Sequence, residues 1–319
     1  MAAGQNAPAF AAVSLPRSAP ARRAVVTVVG SLNLDLVASV DRLPLAGETV
    51  AARQLRKGFG GKGANQAIAA ARQGARVRMI GCLGGDADGA AYRTRLGRFG
   101  IDTSGIATAA GALTGTALIG VAASAENLIM VAAGANAWLT PAWVRRQRRR
   151  IESAQALLVQ CEVPLRSVLT AIRLANAAEV PVVLNPSPVD AAFPWGSARV
   201  DFAVVNEREA SAIFGLRPTT IPSAPARWQR KMHALGIGTL LVTCGGAPTH
   251  CVTSDTAFRV PARAVRPVDT VGAGDCFAGA FTAALASGAR LATAILRANH
   301  AAALSTLRRG AQPPPPPAR

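Results

Sequence analysis

Val268-Asp269-Thr270-Val271-Gly272-Ala273-Gly274-Asp275 is the most informative stretch of the sequence, and it leads directly into the apolar run 276–281. A glycine-rich turn that opens a helix leaves backbone N–H groups without intrahelical partners, at the positive end of the helix dipole. Asp275 lies beside this anion site, where a carboxylate can take a proton from an attacking hydroxyl. The pattern is typical of phosphoryl transfer to an alcohol, although an ordinary helix start capped by an aspartate has a similar sequence.

A second glycine-rich stretch, Phe59-Gly60-Gly61-Lys62-Gly63-Ala64-Asn65-Gln66, precedes a run with high helix propensity at 67–71. It is not a Walker A loop, because no Gly-Lys-Ser/Thr follows at the required spacing. Glycines that admit a ligand to the backbone, together with an amide side chain, suit a sugar with many hydroxyl groups. Upstream, residues 24–30 predict a buried first strand, and Asn33 and Asp35 follow at its carboxyl end, where open α/β sheets bind ligands.

Strand-like and helix-like runs alternate along the rest of the chain, with strands predicted at 156–160, 180–184, 203–205 and 238–243. This alternation predicts an α/β protein whose mostly parallel sheet carries helices on both faces. The 319 residues, half of them hydrophobic, could form one large domain or two smaller ones.

The net charge of +18 suggests nucleic-acid binding, but the rest of the composition argues against it. The basic residues are nearly all arginines and are scattered, apart from a cluster at 145–150 that we interpret as the solvated face of one helix. Aromatic residues make up only 4%, so platforms for stacking single-stranded bases are scarce. We therefore expect no nucleic-acid partner, and a positive surface would instead help to attract ATP.

The cysteines and the apolar segments indicate a cytoplasmic protein without a membrane span. The five cysteines form no CxxC pair, which favours a reducing compartment and argues against a disulfide framework or a zinc site. An uncharged stretch at 103–125 is long enough to cross a membrane, but its glycines favour two strands at about 115–122 and 127–131. Residues 1–23 overlap in composition with a transit peptide and are interpreted as a disordered extension, and 313–319 as a proline-rich tail.

Five segments in the same order resemble the PfkB-type carbohydrate kinase superfamily: 60–65, 160–162, 205–209, 269–275 and 308–313. The similarity extends over about residues 25–312. It implies a ribokinase-like, doubly wound α/β domain at 24–312 with a small β lid at about 36–58 and 115–131. Lids of this kind exclude water from the reaction.

The resemblance also implies roles for individual residues. Asp275 is the base, and the turn formed by Gly272, Ala273 and Gly274 is the anion hole. The sugar contacts fall on Asn33, Asp35, Gly60, Gly61, Lys62, Asn65, Glu162 and Asp275. The ATP contacts fall on Asn206, Thr243, Gly245, Gly274 and Asn299. Glu209 helps to organise Mg²⁺ through water, and Asp269 and Val271 bind an activating K⁺. Pro248 replaces a glycine of the ATP loop and Pro314 replaces a hydroxyl residue near the K⁺ site, so both sites depart from the family pattern.

The implied reaction is transfer of the γ-phosphoryl group of ATP to the 5-hydroxyl of D-ribose, by a homodimer that associates through the lid. Another small sugar or a nucleoside remains an alternative substrate, because pocket residues outside the motifs cannot be identified from sequence. A non-catalytic sugar or nucleotide sensor on the same fold is a further alternative. The presence of Asp275 favours the enzyme, since a sensor does not need the base.

Overall fold

The computed structural model describes residues 23–124 and 126–312. The predicted extension, up to residue 22, and the predicted tail at 313–319 lie outside the described residues. Two sheets and a set of helices form the described part of the chain. The strands are β1 (Val25–Val29), β2 (Asn33–Val40), β3 (Gln54–Gly60), β4 (Arg76–Gly84), β5 (Asp102–Ala109), β6 (Gly115–Ala122), β7 (Asn127–Ala132), β8 (Ala156–Gln160), β9 (Val182–Asn185), β10 (Val200–Asn206), β11 (Ile237–Cys244), β12 (Ala247–Val252) and β13 (Ala257–Val260).

The helices lie mostly between strands of the larger sheet. They are α1 (Lys62–Arg72), α2 (Ala87–Arg98), α3 (Pro141–Arg146), α4 (Arg148–Glu152), α5 (Leu165–Ala177), α6 (Glu207–Phe214), α7 (Pro225–Ala234), α8 (Ala273–Ala286) and α9 (Leu291–Ser305). Short 3-10 turns occupy Gly134–Trp138 and Pro218–Thr220.

The larger sheet has the order β13-β12-β11-β10-β9-β8-β1-β4-β5 within the described residues. Neighbouring strands from β11 to β5 are parallel, whereas β12 and β13 join the end of the sheet as antiparallel strands. The prediction of a mostly parallel α/β sheet is therefore confirmed. Strands begin or end within three residues of the predicted runs at 156–160, 180–184, 203–205 and 238–243.

Both faces of this sheet are covered, as the continuous hydrophobic strands require. Along β8, which is buried throughout, Leu157 and Val159 pack in one core with Ile172 of α5. Leu158 points to the opposite face and packs in the second core with Phe281 of α8. Because β1, β8, β9 and β10 are neighbours that run parallel, their carboxyl ends lie along one edge of the sheet, where the polar residues discussed below are found.

The smaller sheet has the order β3-β2-β6-β7 and uses both segments in which a lid is predicted. The strands expected at 115–122 and 127–131 are present as β6 and β7, which confirms the interpretation of the uncharged stretch as strands. β7 is exposed along its whole length. Among the described residues, no helix combines the length and apolar character needed to cross a membrane.

The prediction of one helix across the arginine cluster at 145–150 is wrong. The helix α3 ends at Arg146, Gln147 lies between, and a second short helix, α4, begins at Arg148. The break directs Arg150 inward, where its guanidinium pairs with Asp102 at 2.5 Å and its Nε donates to the Gln147 side chain. This arginine therefore fastens α4 to the start of β5.

Candidate active site

A cavity of about 180 Å³ opens at the carboxyl ends of β9, β10 and β11, beside the start of α8. This is the edge at which open α/β sheets bind ligands. Its lining residues are mostly polar or glycine. They are Lys62, Asn185, Ser187, Val204, Val205, Asn206, Glu209, Thr243, Thr270, Gly272, Ala273, Gly274 and Asp275.

The turn before α8 can be formed only with glycine at position 272. Gly272 has φ of 75°, and a Cβ atom there would lie 2.6 Å from the Cβ of Ala311. No described residue accepts a hydrogen bond from the backbone N–H groups of Gly272, Gly274 and Asp275. Ala273 is predicted to belong to the anion hole, but its N–H already donates to the carbonyl of Thr270 at 3.2 Å. The free amides therefore fit an anion, without a contribution from Ala273.

The other glycine-opened helix, α1, has no such free amides at its first residues. The backbone N–H of Lys62 donates to Glu162 Oε2 at 3.0 Å, and that of Gly63 donates to Ser31 Oγ at 3.3 Å. Ser31 Oγ in turn donates to Glu162 Oε2 at 2.5 Å, and its carbonyl accepts from Ala64. Glu162 thus caps α1, and its predicted contact with a sugar stays a prediction.

The carboxylate of Asp275 is buried in the first turn of α8 and held by two amide side chains. Asn65 Nδ2 donates to Oδ2 at 2.8 Å, and Gln66 Nε2 donates to Oδ1 at 2.9 Å. Both donors come from α1, so the two glycine-rich stretches of the sequence meet at this carboxylate. Neither donor can surrender its proton to the carboxylate, which leaves Asp275 free to accept a proton from a substrate.

The predicted sugar-binding residues Asn33 and Asp35 lie on β2, next to Gly60 on β3. No described residue donates a hydrogen bond to the Asp35 carboxylate, which is therefore open to ligand hydroxyl groups. Burial raises the pKa of Asp35 to about 6, and the negative charges of Glu162 and Asp275 add to this effect. A Cβ atom at position 60 would overlap both carboxylate oxygens of Asp35, so glycine is required opposite this side chain.

Lys62 lies between the sugar side and the anion turn. Burial opposes its charge, yet the carboxylates of Asp275, Glu162 and Glu209 raise its pKa above the ordinary value. The side chain lines the same cavity as Gly274. A protonated lysine at this point is better suited to bind a phosphate group than to bind the sugar, which is the ligand that the sequence predicts for it.

On the predicted nucleotide side, the structure brings some residues to the cavity and leaves others away from it. Asn206 and Glu209 line the cavity and form a capping box at the start of α6, with both hydrogen bonds at 2.9 Å. Thr243 also lines the cavity, whereas Gly245 lies in the exposed turn after β11. Asn299 is buried, and its amide group is occupied by Thr249 and by backbone carbonyls. Roles for these residues in ATP binding stay predictions.

The residues assigned to metal ions offer oxygen donors of the right chemistry. In Glu209, Oε2 is used by the capping box and Oε1 accepts no hydrogen bond from a described residue. The described residues contain no cluster of three or more histidine, cysteine or acidic ligands. Asp269 accepts from the backbone N–H groups of Val271 and Gly310 at 2.9 and 2.8 Å, and the Val271 carbonyl accepts no hydrogen bond from a described residue. Pro314 lies outside the described residues.

Two side chains that contribute to the site escaped the sequence analysis. Asn136 follows the lid strands and donates to Asn33 Oδ1 at 2.7 Å, while its own oxygen accepts from the Leu32 backbone N–H at 2.9 Å. Gln66 is one of the two donors to Asp275. Gln66 directly follows Asn65 in the second glycine-rich stretch, which is the signal that could have identified it. Asn136 carries no signal of this kind.

Comparisons with known proteins agree with this geometry. The sequence profile described as pfkB family carbohydrate kinase matches residues 23–319. The ribokinase of Haemophilus influenzae is 37% identical over 290 residues, which cover 91% of this chain and 94% of the relative. The deoxyribokinase of Salmonella typhi is 33% identical over 288 residues, covering 90% and 94%. Among solved structures, Arabidopsis thaliana ribokinase complexed with ribose and ATP has a TM-score of 0.81 and 28% identity, covering 90% and 94% of the two chains. The chain is therefore a member of the pfkB family of carbohydrate kinases.

Proposed function

We propose that this chain is an ATP-dependent ribose kinase that transfers the γ-phosphoryl group of ATP to the 5-hydroxyl of D-ribose and releases ribose 5-phosphate. The hydrogen bond between Asn65 Nδ2 and Asp275 Oδ2, at 2.8 Å, is the observation that carries the proposal. It joins the start of α8 to α1, and the negative charge of Asp275 also acts on Asp35 of β2, where it helps to raise the pKa of that carboxyl. A hydroxyl bound beside Asp35 therefore lies next to both a base and a phosphate site.

The chemistry follows from these positions. Asp35 accepts hydrogen bonds from sugar hydroxyl groups, and Asp275 accepts the proton of the hydroxyl that attacks the γ-phosphorus. The free amides of Gly272, Gly274 and Asp275 and the charge of Lys62 stabilise the negative charge on the phosphoryl group as it is transferred. The lid sheet excludes water, which would otherwise compete with the sugar as acceptor.

Metal ions complete the proposed site. Mg²⁺ bound with ATP would neutralise charge on the phosphates, and Glu209 would contact its water ligands. Asp269 and the carbonyl of Val271 would hold K⁺ next to the anion turn. A positive charge at that place supports anion binding by the neighbouring amides.

A panel of sugars tests the function directly. ADP release should be fastest with D-ribose, slower with 2-deoxyribose and other pentoses, and absent with nucleosides, whose base occupies the position of the sugar's 1-hydroxyl. The Asp275→Asn variant provides the background rate. A nucleoside that outperforms every free sugar would replace ribose as the substrate. Binding of ribose without ADP release from any sugar would favour the sensor function.

We expect ribose affinity to weaken as the pH falls, because the pKa of Asp35 is raised to about 6. Above this pH Asp35 is a carboxylate that accepts two hydrogen bonds, and below it the group is protonated and loses an acceptor. The dissociation constant should rise about tenfold from pH 7.5 to pH 5. Calorimetry without ATP measures it, and Asp35→Asn should abolish the pH dependence. Equal pH dependence in both proteins would contradict the role given to Asp35.

Turnover should increase when K⁺ is added to a buffer free of sodium and potassium. The cation would strengthen the field at the anion turn, and Asp269→Ala should remove most of the response by deleting its carboxylate. Steady-state rates in a K⁺ titration measure the effect, with choline as the control cation. A flat titration of the unmodified chain would remove the K⁺ site and leave the kinase assignment intact.

We also propose that two copies associate through the lid. β7 exposes Leu128, Ile129, Met130 and Val131 by 45–56%, an apolar strip on a sheet that covers the site. Ile129→Asp should therefore shift the chain from dimer to monomer in light scattering. The matched control is Leu296→Asp on α9, where an apolar side chain is similarly exposed by 51%. A monomeric unmodified chain, or a dimer that survives Ile129→Asp, would contradict the proposal.

The cytoplasmic location predicted from sequence is part of the proposal as well. All five cysteines are free thiols in the structure, which supports a reducing compartment.

A further inference from the structure

Gln160, the last residue of β8, carries an unexplained buried polar atom. The side chain is completely buried, and its Oε1 has no hydrogen-bond partner among the described residues. An unsatisfied buried acceptor destabilises a fold, and an apolar side chain of similar length would avoid the loss. The hydrogen bond made by the nitrogen of the same amide, Nε2, indicates the function of Gln160.

Gln160 Nε2 donates to Gln66 Oε1 at 2.6 Å. Because the oxygen of Gln66 is held by this donor, its nitrogen faces the opposite way and donates to Asp275 Oδ1 at 2.9 Å. Asn185 Oδ1 accepts from the same nitrogen at 3.0 Å and supports this orientation. A flipped Gln66 would direct its carbonyl oxygen at the carboxylate, and the two would repel each other.

The second donor to Asp275 is oriented in the same way from another part of the chain. Gln312 Nε2 donates to Asn65 Oδ1 at 2.8 Å, so Asn65 Nδ2 faces Asp275 Oδ2. Arg95 Nε in turn donates to Gln312 Oε1 at 3.0 Å, which fixes the direction of the glutamine. Both amides that hold the base therefore have their orientation set by a buried glutamine.

We propose that Gln160 and Gln312 are positioning residues for the phosphoryl-transfer reaction. They keep the N–H groups of Gln66 and Asn65 on the two oxygens of Asp275, so that the carboxylate faces the attacking hydroxyl. Asn65 accordingly serves the base, and its predicted sugar contact is secondary, since its oxygen is already occupied by Gln312. This inference rests on the proposed function, in which Asp275 accepts the hydroxyl proton.

Two variants remove the orienting donors with little change in volume. Gln160→Met deletes the unsatisfied Oε1 but leaves Gln66 Oε1 without its donor, so the melting temperature should stay about the same while kcat falls about tenfold. Gln312→Glu keeps the acceptor for Arg95 but replaces the donor to Asn65, and kcat should fall by up to about 100-fold, as expected for a displaced reactive group. KM for sugar and for ATP should stay within about twofold in Gln160→Met, because Gln160 contacts none of the predicted sugar or ATP residues. In Gln312→Glu, whose side chain also contacts the Gly60 carbonyl, the fall in kcat should exceed any rise in KM.

Gln229→Glu is the matched control, since this glutamine on α7 donates to the Thr253 carbonyl away from the site. It should retain full kcat. If both site variants are folded and retain kcat within twofold, the positioning role is wrong. A rise in KM for the sugar at constant kcat would also overturn it, because it would show that the amides bind the sugar.

A nuclear magnetic resonance measurement separates this inference from the proposed function. The side-chain NH₂ signals of Asn65 should shift on Asp275→Ala in the unmodified chain, and should not shift in the Gln312→Glu background, where the amide has turned away. This result would support the orienting role even if no sugar is phosphorylated. Equal shifts in both backgrounds would overturn it, whatever the substrate.

Discussion

Asp275→Asn should lower kcat by about 10²- to 10⁴-fold and leave sugar affinity and the folded structure nearly unchanged. The carboxylate is buried and receives hydrogen bonds from Asn65 and Gln66 on both oxygens. An asparagine of the same shape keeps its carbonyl acceptor but cannot take up the proton of the attacking hydroxyl. Its NH₂ group also faces one of the two donors, which removes a hydrogen bond.

Single-turnover rates and ribose calorimetry measure these two effects separately. The control is Asp255→Asn, which makes the same chemical change at an exposed turn between β12 and β13. Turnover within tenfold of the unmodified rate in a folded Asp275→Asn variant would assign the base to another group. A large loss of ribose affinity would instead place the Asp275 carboxylate among the sugar ligands.

Lys62→Met should lower kcat by about 10²- to 10³-fold, because it removes a half-buried cation that lines the same cavity as the anion turn. Three carboxylates raise the pKa of this lysine, so it is protonated at neutral pH and its charge is available to the transferring group. Without it, Asp275, Glu162 and Glu209 would repel the phosphates of ATP. Lys62→Arg should retain part of the activity, since it restores the charge with a different shape.

The control for Lys62 is Lys57→Met on β3, where the side chain is 53% exposed and pairs with Asp88. Steady-state kcat and KM for ATP are the measurements. If only KM for the sugar rises and kcat is unchanged, Lys62 contacts the sugar, as the sequence predicts. Unchanged kinetics in Lys62→Met would exclude it from both roles.

The sequence predicts the strands and helices of the fold well, but it does not show which backbone amides at the helix starts are free to bind a ligand. Two glycine-rich stretches each precede a helix, and the sequence assigns the anion to the stretch before α8 because Asp275 follows it. In the structure Glu162 and Ser31, remote in sequence, use the first amides of α1. The start of α8 has no such partner among the described residues, which favours it as the anion site. That the amides of α1 are occupied depends on contacts made only after folding, so spacing within the motif could not reveal it.

Buried amides are the second group whose role the sequence did not reveal. Gln160 and Asn136 are buried and follow no periodic pattern, and Gln66 is marked only by its place after Asn65 in the second glycine-rich stretch. Their role depends on which end of the amide faces which neighbour, and those neighbours are distant in sequence: Asn185 is 119 positions from Gln66, and Asp275 is 209 positions from it. Catalytic carboxylates are easier to predict, because their motifs are contiguous.

The close approach of Gly60 to the Asp35 carboxylate restricts how the sugar pocket can change during evolution. A methyl group added at position 60 would overlap the oxygens of Asp35, so the aspartate side chain would have to move from its present position. The two positions should therefore show strong epistasis, in which Gly60→Ala is harmful alone and tolerated after Asp35→Gly. A larger residue at position 60 is therefore expected to be less harmful once Asp35 has been replaced, so the packing of these two residues favours one order of substitutions over the other.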